Sequence, residues 1–214
     1  MMTLLLTPYQ LRFCPARYIH PTHVPPSLTG LADMLGHWRR HSGINAWLLA
    51  ECQLDIEYEL PPTLGGLVFF EQAALEKTLG YLGALLHGHA IRQVLDATNL
   101  RRVHAAVGEA GHRYCLEQLE LIIGAWPDGW QQSLPEGELG DCLRQRALAF
   151  WLLACGDAPP GFARRLALRL THFESPPSAP PVQWTVSSAQ RPLAQALCLK
   201  TARQVSPQCF HLLK

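Results

Sequence analysis

Four leucines, Leu75, Leu79, Leu82 and Leu86, recur at three- and four-residue intervals and draw one apolar stripe between Glu71 and His87. Only a helix stacks such positions on one face, because a strand changes face at every residue. The same spacing returns along the chain. Leu28, Leu31, Leu35 and Trp38 predict an earlier helix, capped by Ser27 and closed at Gly43. Cys115, Leu119 and Ile122 predict another that ends at Gly124, and Leu139, Leu143, Ala147, Phe150 and Ala154 a third that ends at Gly156. The second half of that third helix is apolar on nearly every side, as a central bundle helix would be. Leu193, Leu197, Thr201 and Val205 mark a last helix with Pro192 in its first turn. Shorter helices fit 89–97, 99–107 and 161–170. Strand signals are confined to the loose alternation of Gln53–Glu59 and to Val182–Val186. Two such short runs cannot build a large sheet. The expected fold is therefore mainly α, a compact multi-helix single domain over 1–214 with at most a small β element. A proline-rich loop or linker at 174–181 precedes the C-terminal helix, at about 188–205.

Charge and cysteine usage narrow the function classes. Eighteen basic and seventeen acidic side chains leave a formal net charge of +1, without the basic excess with which nucleic-acid binders neutralise phosphates. The seven cysteines, at 14, 52, 115, 142, 155, 198 and 209, are odd in number and form no CxxC pair, which reads as free thiols in a reducing compartment. Leu4–Leu6 lack a preceding basic region and are cut short by Pro8, so the N-terminus does not read as a secretory signal. The longest charge-free apolar block, Ala147–Gly156, is half the length of a membrane span and reads as a core helix.

No GxGxxG, Walker A, GxSxG or HExxH sequence is present. One grouping could carry chemistry: His87 and His89 in an HxH, with His104, His112 and Cys115 further on. Two histidines two apart on one helix diverge by about 200°, so a metal would need a break at Gly88. A small metal-dependent enzyme using His87, His89, His104 and His112 is thus the second reading, and a Cys115–His112 nucleophile pair lacks any orienting third group. The first reading has no catalytic, metal or cofactor residues and is a binding protein. Its candidate contacts are three arginine pairs, Arg39–Arg40, Arg101–Arg102 and Arg164–Arg165, whose planar forks suit carboxylates, together with Trp126 and Trp130 in an aromatic turn.

Five strings then carry a resemblance. Gln10-Leu-Arg-Phe-Cys-Pro-Ala16, Leu86-His-Gly-His-Ala-Ile-Arg92, Glu120-Leu-Ile-Ile-Gly-Ala-Trp-Pro127, Leu148-Ala-Phe-Trp151 and Gln190-Arg-Pro-Leu-Ala-Gln-Ala-Leu197 follow in this order. Together, from about Gln10 to Lys214, they resemble the SctK family (YscK and PscK), accessory components of bacterial type III secretion systems. The resemblance implies a soluble, mostly helical, non-enzymatic adaptor of the cytoplasmic sorting platform, docked under the inner membrane. Its implied partners are the forkhead-associated-like cytoplasmic domain of the ring protein SctD and the pod protein SctQ, and through SctQ also SctL and the ATPase. It implies no cofactor and transfers no site residue.

Overall fold

The computed structural model describes residues 6–171 and 184–213. Among these residues the chain is helical without strands: α1 (Pro8–Phe13), α2 (Pro26–Met34), α3 (Ser42–Glu51), α4 (Gln72–Leu86), α5 (Gly88–Arg92), α6 (Ala97–Gln118), α7 (Leu139–Cys155), α8 (Pro160–Ala167) and α9 (Arg191–Val205), linked by turns and short 3-10 segments. The proline-rich stretch 174–181 lies outside the described residues, as do 182 and 183; the rest of the expected Val182–Val186 strand, residues 184–186, is irregular. No helix among them is long and apolar enough to cross a membrane.

The central position is shared by α4 and α7. Every residue from Thr78 to Leu86 of α4 is buried, and α6, α7 and α9 pack around that helix. Its leucine stripe faces the core formed with Ala147, Phe150 and Trp151 of α7 and Leu197 and Ala202 of α9. The helices approach closely because Gly83 has no side chain: a Cβ there would lie 2.3 Å from the Leu143 carbonyl oxygen. Two polar contacts fix the register. The hydroxyls of Thr78 and Ser206 meet at 2.9 Å, and the Trp151 indole N–H donates to the Leu64 carbonyl at 3.2 Å.

A second, smaller core lies under the N-terminal helices: Ala16, Ile19, Leu28, Ile44 and Leu48. Asn45, itself buried, accepts from the Ala16 N–H at 3.0 Å and donates to the His41 carbonyl at 2.9 Å, locking α3 against the turn after α1.

Four local expectations are corrected. The stripe Leu28–Trp38 is not one helix: α2 stops at Met34, and Trp38–Arg40 forms a separate 3-10 turn. Gly43 sits in the first turn of α3, where a free backbone N–H costs nothing, and closes no helix. The 99–107 and Cys115 stripes are two arms of α6, bent at Gly108, whose φ of 73° and ψ of 168° no β-carbon residue adopts easily. The second arm ends at Gln118, ahead of Gly124. Finally, Gln53–Glu59 stays irregular. It opens on Gln53 at φ 48° and finds no strand to pair with, so its backbone is drawn instead to the cations of α8 and α1.

Candidate functional site

The three arginine pairs meet different fates, decided by the helix face each residue occupies. In α8 and the turn after it, Phe162, Arg165, Leu166 and Arg169 fall at i, i+3, i+4 and i+7, and all four are buried. Arg165 is therefore wholly enclosed. Its guanidinium donates to the Leu11 and Arg12 carbonyls at 3.0 Å each and to the Gly161 carbonyl at 3.0 Å, and it stacks 4.5 Å from the centre of the Tyr58 ring. Leu11 and Arg12 lie in the last turn of α1, where carbonyls lack helical partners, so Arg165 caps one helix from another. Its exposed neighbour Arg164 donates to the Gln53 carbonyl at 2.6 Å. The pair sews the N-terminal part of the chain to the body. Arg165 thus does not offer the docking fork expected of it.

The missed member of this group is Arg169, which is 3% exposed and donates to the Val68 and Phe70 carbonyls, the latter at 2.6 Å. Burial lowers its pKa to about 10, while Tyr18 and Glu76 pull the other way. The signal for both buried arginines was in the sequence: they continue the apolar stripe begun by Phe162.

The remaining pairs stay at the surface. Arg102 is half-buried and donates to Asn99 Oδ1 and to the Pro135 and Gly137 carbonyls, clamping the loop before α7; exposed Arg101 bonds back to Ala97 in its own helix. Arg39 reaches the Ala16 and Ile19 carbonyls and lies 4.6 Å from the Trp38 ring centre. The Arg40 side chain is exposed and has no hydrogen-bond or ion-pair partner among the described residues. This pattern has an electrostatic consequence. Only two ion pairs form among the described residues, Arg92–Glu120 and Arg144–Asp141. A guanidinium held by carbonyls keeps its full charge, so the arginines remain attractive to acidic groups even where they are structurally engaged.

The two tryptophans also part company. Trp126 is half-buried, and its indole N–H donates to the Leu119 carbonyl at 2.6 Å, bracing the end of α6. Trp130 is 1% exposed and meets Phe150 edge-on at 4.9 Å; Trp184 meets the same ring edge-on at 5.8 Å and donates its indole N–H to the Trp130 carbonyl at 3.2 Å. Trp130 is a core residue, which removes it from the candidate contacts.

The four histidines do not converge. The helix breaks at His87, between α4 and α5, with Gly88 already the first residue of α5, and His87 is buried while His89 is exposed. His87 is fully buried and donates from Nδ1 to the Ser133 carbonyl at 2.7 Å. Burial, aided by the nearby Arg146 charge, lowers its pKa to about 4. His104 and His112 do touch, at 3.1 Å, across the Gly108 bend. Burial and the His104 charge lower the His112 pKa. Among the described residues no three His, Cys, Asp or Glu side chains gather as metal ligands. Cys115 is not paired with His112. It donates to the Ala84 carbonyl at 3.3 Å, and burial raises its pKa to about 12, far from a reactive thiolate. Among the described residues the arrangement offers surfaces and clamps, and no cluster of metal-ligating side chains.

Comparison with known proteins gives a consistent picture. Residues 5–214 match the family model described as YOP proteins translocation protein K (YscK). The Yop proteins translocation protein K of Yersinia pseudotuberculosis serotype I (strain IP32953) and that of Yersinia enterocolitica are each 42% identical to this chain over 214 residues, covering all of both chains. The structure of the cytoplasmic domain of the T3SS sorting platform protein PscK from P. aeruginosa is similar to this chain with a TM-score of 0.79 and 51% identity, over 98% of this chain and 99% of that one.

Proposed function

The chain belongs to the YscK family of type III secretion sorting-platform proteins, and on that premise we propose that it is a non-enzymatic cytoplasmic adaptor of the injectisome. In this reading it links the cytoplasmic domain of the SctD-type inner-membrane ring protein to the SctQ-type pod protein, and so to SctL and the ATPase. It works at the cytoplasmic face of the inner membrane without entering it. The observation that carries the reading is the end-to-end match to PscK at 51% identity. A helical body in which Arg165 and Arg169 are clamped by carbonyls, and in which Cys115, Cys142, Cys198, Cys209 and His87 are buried, is in keeping with a binding role.

The test is calorimetric titration of the chain with the SctD-type cytoplasmic domain, repeated with the SctQ-type protein present. Saturable binding to either protein is expected. Absence of binding to both, with all three folded, would refute the adaptor role. Within that experiment Arg40→Glu is the informative charge reversal. Arg40 is exposed and unpartnered among the described residues, whereas reversing Arg39 would also break its bonds to Ala16 and Ile19. The ring-protein affinity is expected to fall about tenfold, in the range of a well-placed interfacial charge.

A further inference from the structure

An open apolar groove of about 420 Å³ runs between α2 and α3. Leu28 and Ile44, both of the smaller core, line its depth, while Leu35 and Trp47 line it and each keep 38% of their surface exposed. His41 lines the same groove, Arg40 precedes it, and Met34, beside Leu35, is 76% exposed. Large apolar side chains held open in this way mark a recognition surface when their surroundings are polar. The chain that forms it is basic in sequence: the first fifty residues contain Arg12, Arg17, Arg39 and Arg40 against one acidic residue, Asp33, and the exposed Arg40 adjoins His41 of the groove. The rest of the chain is correspondingly slightly acidic, since the whole carries +1.

The geometry points to an amphipathic helix of a partner protein as the occupant, its apolar ridge seated between Leu35 and Trp47 and its Asp or Glu flank facing Arg40 and His41. The volume suits two or three leucine-sized side chains, which a helix supplies at i, i+3 or i+4, and i+7. Charge selects against a second copy of this chain, because a two-fold contact would bring the same basic rim against itself. The identification of the partner as part of the secretion apparatus rests on the adaptor reading; the chemistry of the groove does not.

The probe is an 18-residue synthetic helical peptide with leucines at i, i+3, i+4 and i+7 and glutamates on the flank, compared with its lysine-flanked twin. Both are titrated into the isotope-labelled full chain and followed by amide chemical shifts. The glutamate peptide is expected to perturb α2, α3 and the turn between them, and to bind about tenfold more tightly than its twin. Trp47→Ala and Leu35→Asp, both at exposed positions and checked for an unchanged free spectrum, are each expected to weaken it about tenfold. Equal affinity for the twins, shifts centred elsewhere, or no response to either peptide would overturn the proposal. So would self-association that Trp47→Ala abolishes, which would give the groove to a second copy. The same two variants are then titrated with the SctD-type domain and the SctQ-type protein. Loss of binding to one of these supports the groove. Unchanged binding to both refutes it while leaving the adaptor role intact. Wild-type chain that binds neither protein but still takes the glutamate peptide refutes the adaptor role and leaves the groove standing.

Discussion

Replacing Arg165 by methionine keeps the length of the side chain but takes the guanidinium from the Arg12 carbonyl and leaves the buried Leu11 carbonyl only the Tyr18 hydroxyl, 3.2 Å away. The loss of these charged hydrogen bonds is worth about 3 kcal/mol, which urea denaturation of Arg165→Met should register. Arg164→Met, at an exposed site with one carbonyl partner, should cost less than about 1 kcal/mol. His87 gives a second measurable effect at this scale. It stays neutral in the fold, with its pKa lowered to about 4 from an ordinary 6.5. Below pH 6.5 the unfolded chain takes up a proton that the folded chain refuses. The stability contributed by neutral His87 is therefore complete above pH 6.5 and is lost as pH falls toward 4, by about 3 kcal/mol in all. Urea titrations at pH 7, 6 and 5 should show this decline, and His87→Gln should flatten it. The arginines and histidines were visible in the sequence as residue types, but their roles depended on burial. For Arg165 the periodicity of α8 carried that information, because Phe162, Leu166 and Arg169 share its face. For Trp130 and His87 no local pattern does: both are buried by contacts with segments distant in sequence, Phe150 and the 132–133 turn.

Among the helices, those built on a strong apolar repeat with a clear stop were legible. α4 follows its leucines, α7 ends at Gly156 with φ 83°, and α9 begins around Pro192. The failures share a cause. At 28–43 the apolar spacing runs on across Gly36 and His37, so periodicity alone could not separate α2, the Trp38–Arg40 turn and α3. In α6 a single glycine bends a stripe that reads as two helices. Glycine has opposite meanings in two other helices, and substitution separates them. Gly83→Ala would drive a methyl group into the Leu143 carbonyl and push α4 from α7, at a cost of about 2 kcal/mol or more. Gly30→Ala, in mid-α2 with nothing within 4 Å of the added carbon, should stabilise the chain by about 0.5–1 kcal/mol through helix propensity. Thermal melts of the two variants should therefore move in opposite directions.

For the molecule as a whole, the helical class followed from the apolar spacing. The placement of its charge did not. A net charge of +1 conceals a basic N-terminal region beside a slightly acidic remainder. Association through that region should be steered electrostatically, so its on-rate should fall as salt is raised from about 0.05 to 0.5 M, while a contact through the opposite face should respond far less. Stopped-flow mixing with the ring-protein domain measures this directly. The buried clusters also differ greatly in size, with only five buried residues in the one beneath α2 and α3. Local stability scales with buried contacts, so the molecule should behave as two foldons of unequal strength. Amides of α3 should exchange with deuterium well before those of α4 and α7, and Arg165→Met should widen that gap by loosening the seam between them. The end of the molecule that carries the groove can then yield and re-form while the body keeps its shape, so that its few buried contacts set how far a local opening spreads.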